Sequence, residues 1–116
     1  MSATVDGSNM RQQLEAMLAT GKDSALLRFS LGELLLKDDE PAGAAEHLAQ
    51  AVAQDPQYSA AWKLYGKALA ASGRTQAAID AFDRGIEVAT ARGDNQAAKE
   101  MTVFRKRADK QRTQGN

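Results

Sequence analysis

The chain has no cysteine among its 116 residues, and it has only two prolines, one histidine and 5% aromatic residues. The absence of cysteine excludes disulfides, thiol nucleophiles and thiolate metal sites. No apolar run approaches the roughly 20 residues that a membrane-spanning helix needs. The N-terminus also lacks the basic start and apolar block of a secretory leader. We therefore expect a cytoplasmic protein with no membrane association.

Apolar residues make up 43% of the sequence, which is typical of a globular protein rather than a disordered one. The length fits one domain that buries roughly two thirds of the surface of its unfolded chain. Because alanine is abundant and large rings are few, closely approaching backbones should form most of the core.

The formal net charge is zero, but the two halves of the chain carry opposite charge. Residues 1–58 contain four basic and nine acidic side chains, whereas residues 59–116 contain eleven basic and six acidic ones. Such a charge dipole can steer association or favour head-to-tail contacts at low salt. Ordinary solvated helix faces explain the same pattern and are the favoured interpretation.

Apolar residues recur at helical spacing in six segments, and no segment shows a strand pattern. Short connections with turn and cap residues separate them. Gly21 and Gly73 are natural stops, and the candidate N-caps are Asp23 or Ser24, Thr75, and Asp94. The predicted helices cover about 9–19, 24–37, 41–54, 58–72, 76–90 and 95–110. Residues 1–8 and 111–116 lack periodicity and are expected to form a flexible arm and a flexible tail.

Two stretches of the chain superimpose at a spacing of 34 residues. The corresponding positions are Leu31-Gly32 and Tyr65-Gly66, Leu35 and Leu69, Ala44 and Ala78, and Leu48 and Phe82. One period therefore contains two helices and keeps its small and large apolar residues in order. This pattern is typical of a helical repeat array, which favours a binding scaffold over a catalyst.

The second unit resembles the tetratricopeptide repeat (TPR), because it contains Trp62, Tyr65-Gly66, Leu69, Ala78, Phe82 and Gly85 in the order of that motif. It departs from the motif at Thr90, where the repeat has proline. The first unit lacks the aromatic start but keeps Gly32, Ala44 and Pro56. The resemblance, to small stand-alone TPR proteins of bacterial type, implies an all-α fold: antiparallel helix hairpins stacked as a short right-handed solenoid of about six helices.

The resemblance divides a TPR-like domain, residues 9–110, into four parts. These are a half repeat 9–22, a repeat 25–58, a repeat 59–92 and a capping helix 94–110. Strict spacing puts Lys99-Glu100 at the apolar-Gly position of the last helix. We favour a two-residue shift that puts Ala97-Ala98 there and turns Met101 inward. Within the full repeats, Gly32 should meet Ala44 and Gly66 should meet Ala78.

Few side chains could perform chemistry. His47 has neither a cysteine nor an identifiable activated serine as a partner, and it is predicted to be an edge histidine. Asp38, Asp39 and Glu40 could hold a cation, but helix initiation explains this acidic cluster better. The glycines are isolated, so a phosphate-binding loop is not indicated. We expect no enzymatic activity, no cofactor and no metal.

Aromatic and basic side chains could suggest nucleic-acid binding. Trp62, Tyr65 and Phe82 occupy packing positions of the repeat, and we interpret them as core residues rather than base-stacking ones. The last helix is basic, with Lys99, Arg105, Lys106, Arg107, Lys110 and Arg112. A solvated cap is the favoured interpretation, so neither nucleic acid nor a membrane is expected as a partner; contact through this helix remains a third hypothesis.

The TPR resemblance implies that the first helices of successive repeats line a concave groove for peptides. Carried over to this chain, the lining residues are Leu26, Phe29, Glu33, Leu36, Ala60, Lys63, Lys67 and Ala70. Lys63 and Lys67 should lie beside Phe29, which suits a peptide with a hydrophobic anchor and a carboxylate. The leading hypothesis is a protein-binding adaptor. The second is a self-associating structural module, for example a homodimer.

Overall fold

The computed structural model describes residues 7–115. Within this range the protein consists of six α-helices and contains no strand, which confirms the predicted all-α fold. The helices are α1 Gly7–Ala19, α2 Ala25–Lys37, α3 Pro41–Gln54, α4 Ser59–Ala71, α5 Thr75–Ala91 and α6 Asn95–Gln114. The predicted flexible arm falls mostly on residues outside the described range.

The helices stack as consecutive hairpins in an elongated molecule of 49 × 33 × 22 Å. Each helix packs against the next one along the chain, and α4 also contacts both α2 and α6. No corresponding contact joins α1 to α3 or α3 to α5 within residues 7–115. Helices two apart along the chain therefore touch each other only among α2, α4 and α6. These three helices form the closer-packed, concave side of the array. We call the surface of these three helices the inner face.

Large side chains from one helix fill the space that a glycine leaves on its hairpin partner. A Cβ built on Gly32 would lie 2.5 Å from Cγ of Leu48, and one on Gly66 would lie 2.6 Å from Cδ1 of Phe82. Leu48 and Phe82 are essentially inaccessible to solvent. The atoms nearest to these two positions thus belong to Leu48 and Phe82, one turn farther along α3 and α5 than the predicted partners Ala44 and Ala78.

Helix ends follow the predicted cap chemistry at two of three sites. The hydroxyl of Ser24 accepts a hydrogen bond from the backbone N–H of Leu27, and the carboxylate of Asp94 accepts one from Ala97, both at 3.1 Å. Thr75 is not the N-cap of α5, because it is already the first helical residue. Gly21, Gly73 and Gly93 adopt positive φ angles, as stops at helix C-termini require.

The position of α6 differs from the predicted one. It begins 36 residues after the start of α4, two more than the 34-residue repeat spacing. The predicted shift had the opposite sign, because it placed Ala97-Ala98 only 32 residues after Tyr65-Gly66. The Asp55-Pro56 pair ends α3, whereas Thr90 lets α5 continue to Ala91 and so moves the next helix along the chain. Met101 is fully buried, as predicted. Residues 111–114, predicted as part of the tail, continue α6 as a helix, and residue 116 lies outside the described range.

Candidate functional site: the inner face

The end of the inner face where α2 and α4 begin has a large exposed apolar side chain. Leu26 is 65% exposed, and it lines an open cleft of ≈ 560 Å³ where α2, α4 and the α5–α6 connection meet. The other lining residues are Ala25, Asp55, Tyr58, Ser59, Ala60, Arg92 and Asp94. Phe29, one turn along α2, stacks on Tyr58 with ring centroids 4.9 Å apart and is half-buried. The apolar anchor available to a ligand is therefore Leu26 more than Phe29.

The two predicted lysines of α4 face α6. The Lys63 ammonium donates to the Glu100 carboxylate at 2.8 Å, and this hydrogen bond, followed by one from Gln96, lowers the pKa of Glu100. The Lys67 ammonium lies 5.0 Å from the centroid of the Phe104 ring, within cation–π range. The charge of Lys63 is thus already compensated, whereas Lys67 has no ion pair among the described residues.

The other end of the inner face brings three of the predicted residues together. Glu33, Leu36 and Lys67 line a second cleft of ≈ 410 Å³ between α2 and α4. Its remaining lining residues are Lys37, Leu64 and Ala71. The six predicted residues are therefore divided among an apolar end at Leu26, an ion pair at Lys63 and this mixed cleft.

Sequence reasoning missed the contribution of α6 to the inner face. Glu100 and Phe104 lie 37 residues after Lys63 and Lys67, and the 34-residue repeat spacing does not pair them. The signal that could have found them is Thr90, which lacks the helix-stopping proline of the first repeat and thereby displaces α6 along the sequence.

A hydrogen-bonded network surrounds the single histidine at the edge of the array. The Arg28 guanidinium contacts Nδ1 of His47 at 3.1 Å and the two carboxylate oxygens of Asp23 at 2.9 Å. Gln54 also donates to Asp23, at 2.9 Å. Because arginine only donates, His47 must be neutral and accept through Nδ1. The half-buried His47 serves as a structural link between α2 and α3.

This network predicts that the free energy of unfolding decreases as the pH is lowered, in two separate pH ranges. Burial, and to a smaller extent the positive charge of Arg28, lowers the pKa of His47 below its ordinary 6.5. Hydrogen bonds from Arg28 and Gln54 lower the pKa of Asp23 from 3.8 to about 2. In each range the unfolded chain takes up the proton first, so stability decreases as pH falls. We expect one decrease below pH 6.5 from His47 and another below 3.8 from Asp23, complete near pH 2.

Urea unfolding midpoints measured between neutral and acid pH test this expectation. His47→Gln should remove the decrease that begins near neutral pH and keep the acid one, because the chain has no other histidine. Identical midpoint curves for the wild type and His47→Gln above pH 5 would contradict the assignment.

The acidic turn between α2 and α3 binds a neighbouring helix. Arg11 of α1 contacts Glu40 at 2.7 Å and Asp38 at 3.7 Å.

Within residues 7–115 no group of three or more acidic, histidine or cysteine side chains is arranged to hold a metal ion. Over the same residues, no helix combines the length and apolar character that crossing a bilayer requires.

Comparison with known proteins identifies this arrangement of helices. A family model described as the tetratricopeptide repeat matches residues 11–59 and 29–97, which together span most of the chain. The chain belongs to the tetratricopeptide repeat family. The resemblance seen in the sequence is thereby confirmed.

Relatives of this TPR chain match it over nearly their whole length. A TPR repeat-containing protein of Pseudomonas aeruginosa is 51% identical over 104 residues, which cover 90% of this chain and 99% of that one. A Bordetella parapertussis protein of known solution structure is 40% identical, with a TM-score of 0.75 over 96% of this chain and 91% of its own. A TPR domain protein of Salinibacter ruber, solved by crystallography, is 29% identical with a TM-score of 0.67, covering 74% and 97%.

Family membership sets the broad functional class. TPR proteins generally mediate protein–protein interactions, and the fold is typically that of a non-enzymatic adaptor. The inner face described above is the surface on which the first helices of this TPR array are brought together.

Proposed function

We propose that this TPR chain binds a segment of a partner protein along its inner face. The observation that supports this most directly is the exposure of Leu26, 65%, at the mouth of an open cleft. Leu26, Phe29 and Leu36 follow one side of α2 at helical spacing, and an apolar strip bordered by polar side chains is typical of an interaction surface. Leu36, half-buried in the second cleft, offers a further apolar contact along the same surface.

The charges along the face favour a partner segment with an apolar anchor followed by a carboxylate. Lys67 is exposed and has no ion pair among the described residues. Lys63 can bind a ligand only in competition with Glu100, which holds it at 2.8 Å. Of the two lysines, Lys67 is therefore the principal contact for a carboxylate, and Lys63 contributes less than the sequence alone indicates.

Peptides selected on the wild-type protein from a random display library test this proposal. We expect the selected peptides to share an apolar residue near an acidic one or a free C-terminus. Leu26→Ser and Lys67→Glu should each weaken binding by about tenfold or more, since truncation of an anchor removes roughly 1.4 kcal/mol or more. Lys63→Glu should have a smaller effect.

A matched charge reversal provides the control. Lys22→Glu changes an exposed lysine in the α1–α2 connection, and it should leave peptide binding unchanged. Circular dichroism melts of all four variants establish that they fold. Peptides that bind Leu26→Ser and Lys67→Glu as tightly as they bind the wild type would show that the inner face is not the site.

A further inference from the structure

An apolar groove on the last hairpin is open to solvent. It lies between α5 and α6 with a volume of ≈ 530 Å³, and Val103 at its rim is 48% exposed. We call it the α6 groove; its lining residues are Ile86, Thr90, Asn95, Ala98, Lys99, Thr102 and Val103. Ala98 and Thr102 lie 36 residues after Trp62 and Gly66, the offset between the starts of α4 and α6.

The equivalent positions of α4 contact the second helix of their own repeat. A Cβ on Gly66 would meet Phe82 of α5, and a Cβ on Gly85 of α5 would lie 2.8 Å from Cβ of Trp62. The α6 groove is therefore the surface on which a second helix would pack against α6. No described helix occupies it.

The opposite end of the array has the matching open surface. Met10 and Met17 of α1 are 45% and 42% exposed, and we call them the methionine face. They lie 34 residues before Ala44 and Ala51, which are fully buried in the complete repeat. In the described chain α1 packs only against α2, so the side of α1 that would face a first helix is uncovered.

The two surfaces are complementary in size. In the complete repeat, the small Gly85 lies between the large side chains of Trp62 on α4 and Met101 on α6. At the corresponding positions of the open ends the order is reversed, because Met17 corresponds to Gly85 and Ala98 to Trp62. A flexible methionine could fill the space that alanine leaves there. A second copy of this chain thus offers a helix of the right kind and size for the α6 groove.

The charges of the two ends are complementary as well. Lys99, Lys106 and Lys110 follow one exposed side of α6 and have no ion pairs among the described residues. Packing α1 antiparallel to α6, as α5 packs on α4, brings the start of α1 beside the second half of α6. The start of α1 adjoins the acidic turn through the Arg11–Glu40 ion pair. Of these lysines, Lys106 and Lys110 lie in that second half and would therefore come close to acidic side chains of the second copy.

We propose that copies of this chain associate head to tail, with the methionine face of one copy packed into the α6 groove of the next. The joined helices α6 and α1 then form a repeat made from two chains. Because the two surfaces are different, an assembly of any length has an uncovered methionine face at one end and an uncovered α6 groove at the other. Growth is therefore open rather than limited to a symmetric dimer. The proposal does not depend on ligand binding at the inner face.

Sedimentation velocity on the full chain, from about 1 µM to about 500 µM, tests the proposal over the range of weak to moderate affinity. We expect the average mass to rise with concentration beyond that of a dimer at low salt, and to fall at high salt because exposed charge pairs are screened. Val103→Glu should block one end and Met17→Glu the other, so that each variant alone is monomeric.

Mixing the two blocked variants gives the decisive result. Val103→Glu retains the methionine face and Met17→Glu retains the α6 groove, so an equimolar mixture should form a 1:1 complex that grows no further. Leu26→Glu, an exposed apolar residue on the inner face, is the matched control and should assemble like the wild type. A wild-type monomer throughout the range at low salt, or a closed dimer that both blocking substitutions leave intact, overturns the proposal.

Discussion

Replacing Phe82 by alanine is expected to lower the free energy of unfolding by about 3–5 kcal/mol, because Phe82 is the largest fully buried side chain among the described residues. The Phe82 ring is 1% exposed. It fills the space above Gly66 on α4 and lies parallel to Phe104 on α6, with centroids 6.0 Å apart. One side chain thus joins three helices, and truncation leaves a cavity that no neighbour can close.

Urea unfolding followed by circular dichroism measures this loss. Phe104→Ala is the matched control: the same ring is deleted at a half-buried site, so the loss should be clearly smaller. Phe82→Leu, which retains most of the volume, keeps the measurement possible should the alanine variant unfold. Equal losses at Phe82 and Phe104 would show that the ring of α5 does not occupy the centre of the core.

Replacing Gly66 by alanine is expected to destabilise the protein by about 1–3 kcal/mol, although alanine is the better helix former. The added methyl group would lie 2.6 Å from Cδ1 of Phe82, which is far inside van der Waals contact. Because Phe82 is buried on all sides, its ring cannot move aside without disturbing α6 or α4. The steric penalty therefore outweighs the roughly 0.5–1 kcal/mol that a helical Gly→Ala change supplies.

Two comparisons isolate the steric cause in the same unfolding assay. Gly43→Ala places its methyl group 3.5 Å from the nearest atom, Cδ1 of Leu35, which is an ordinary contact. This control should be stabilising. In a Phe82→Ala background, Gly66→Ala should likewise lose its penalty, because the clashing ring is gone. A penalty that persists in that background would assign the effect to the backbone instead.

The repeat spacing predicts the fold well because it reports which side chains face each other within a hairpin. Leu48 and Phe82 occupy the same place in successive repeats, and both are fully buried opposite a glycine. Periodicity alone could not decide which residue approaches that glycine most closely. Ala44 and Leu48 lie on the same side of α3, and only the three-dimensional crossing of the helices separates them.

The inner face was harder to predict because its properties depend on contacts between repeats. The pattern marks Lys63 and Lys67 as lining residues but does not show that Glu100 compensates one and Phe104 lies beneath the other. Those contacts follow from where α6 starts, which is set by the length of α5. A local change at Thr90, one missing proline, thus alters the charges that a ligand would meet some distance away.

The single tryptophan determines what an optical experiment on this protein can observe. Trp62 donates its indole N–H to the carbonyl of Pro56 at 2.8 Å, and the Arg84 guanidinium lies 5.8 Å from its ring. Its emission therefore reports on the junction between the two full repeats. Every side chain described for α1 is exposed or half-buried, so that helix can fray while the fluorescence stays unchanged. Backbone amide exchange would detect this loosening of α1, to which tryptophan emission is blind.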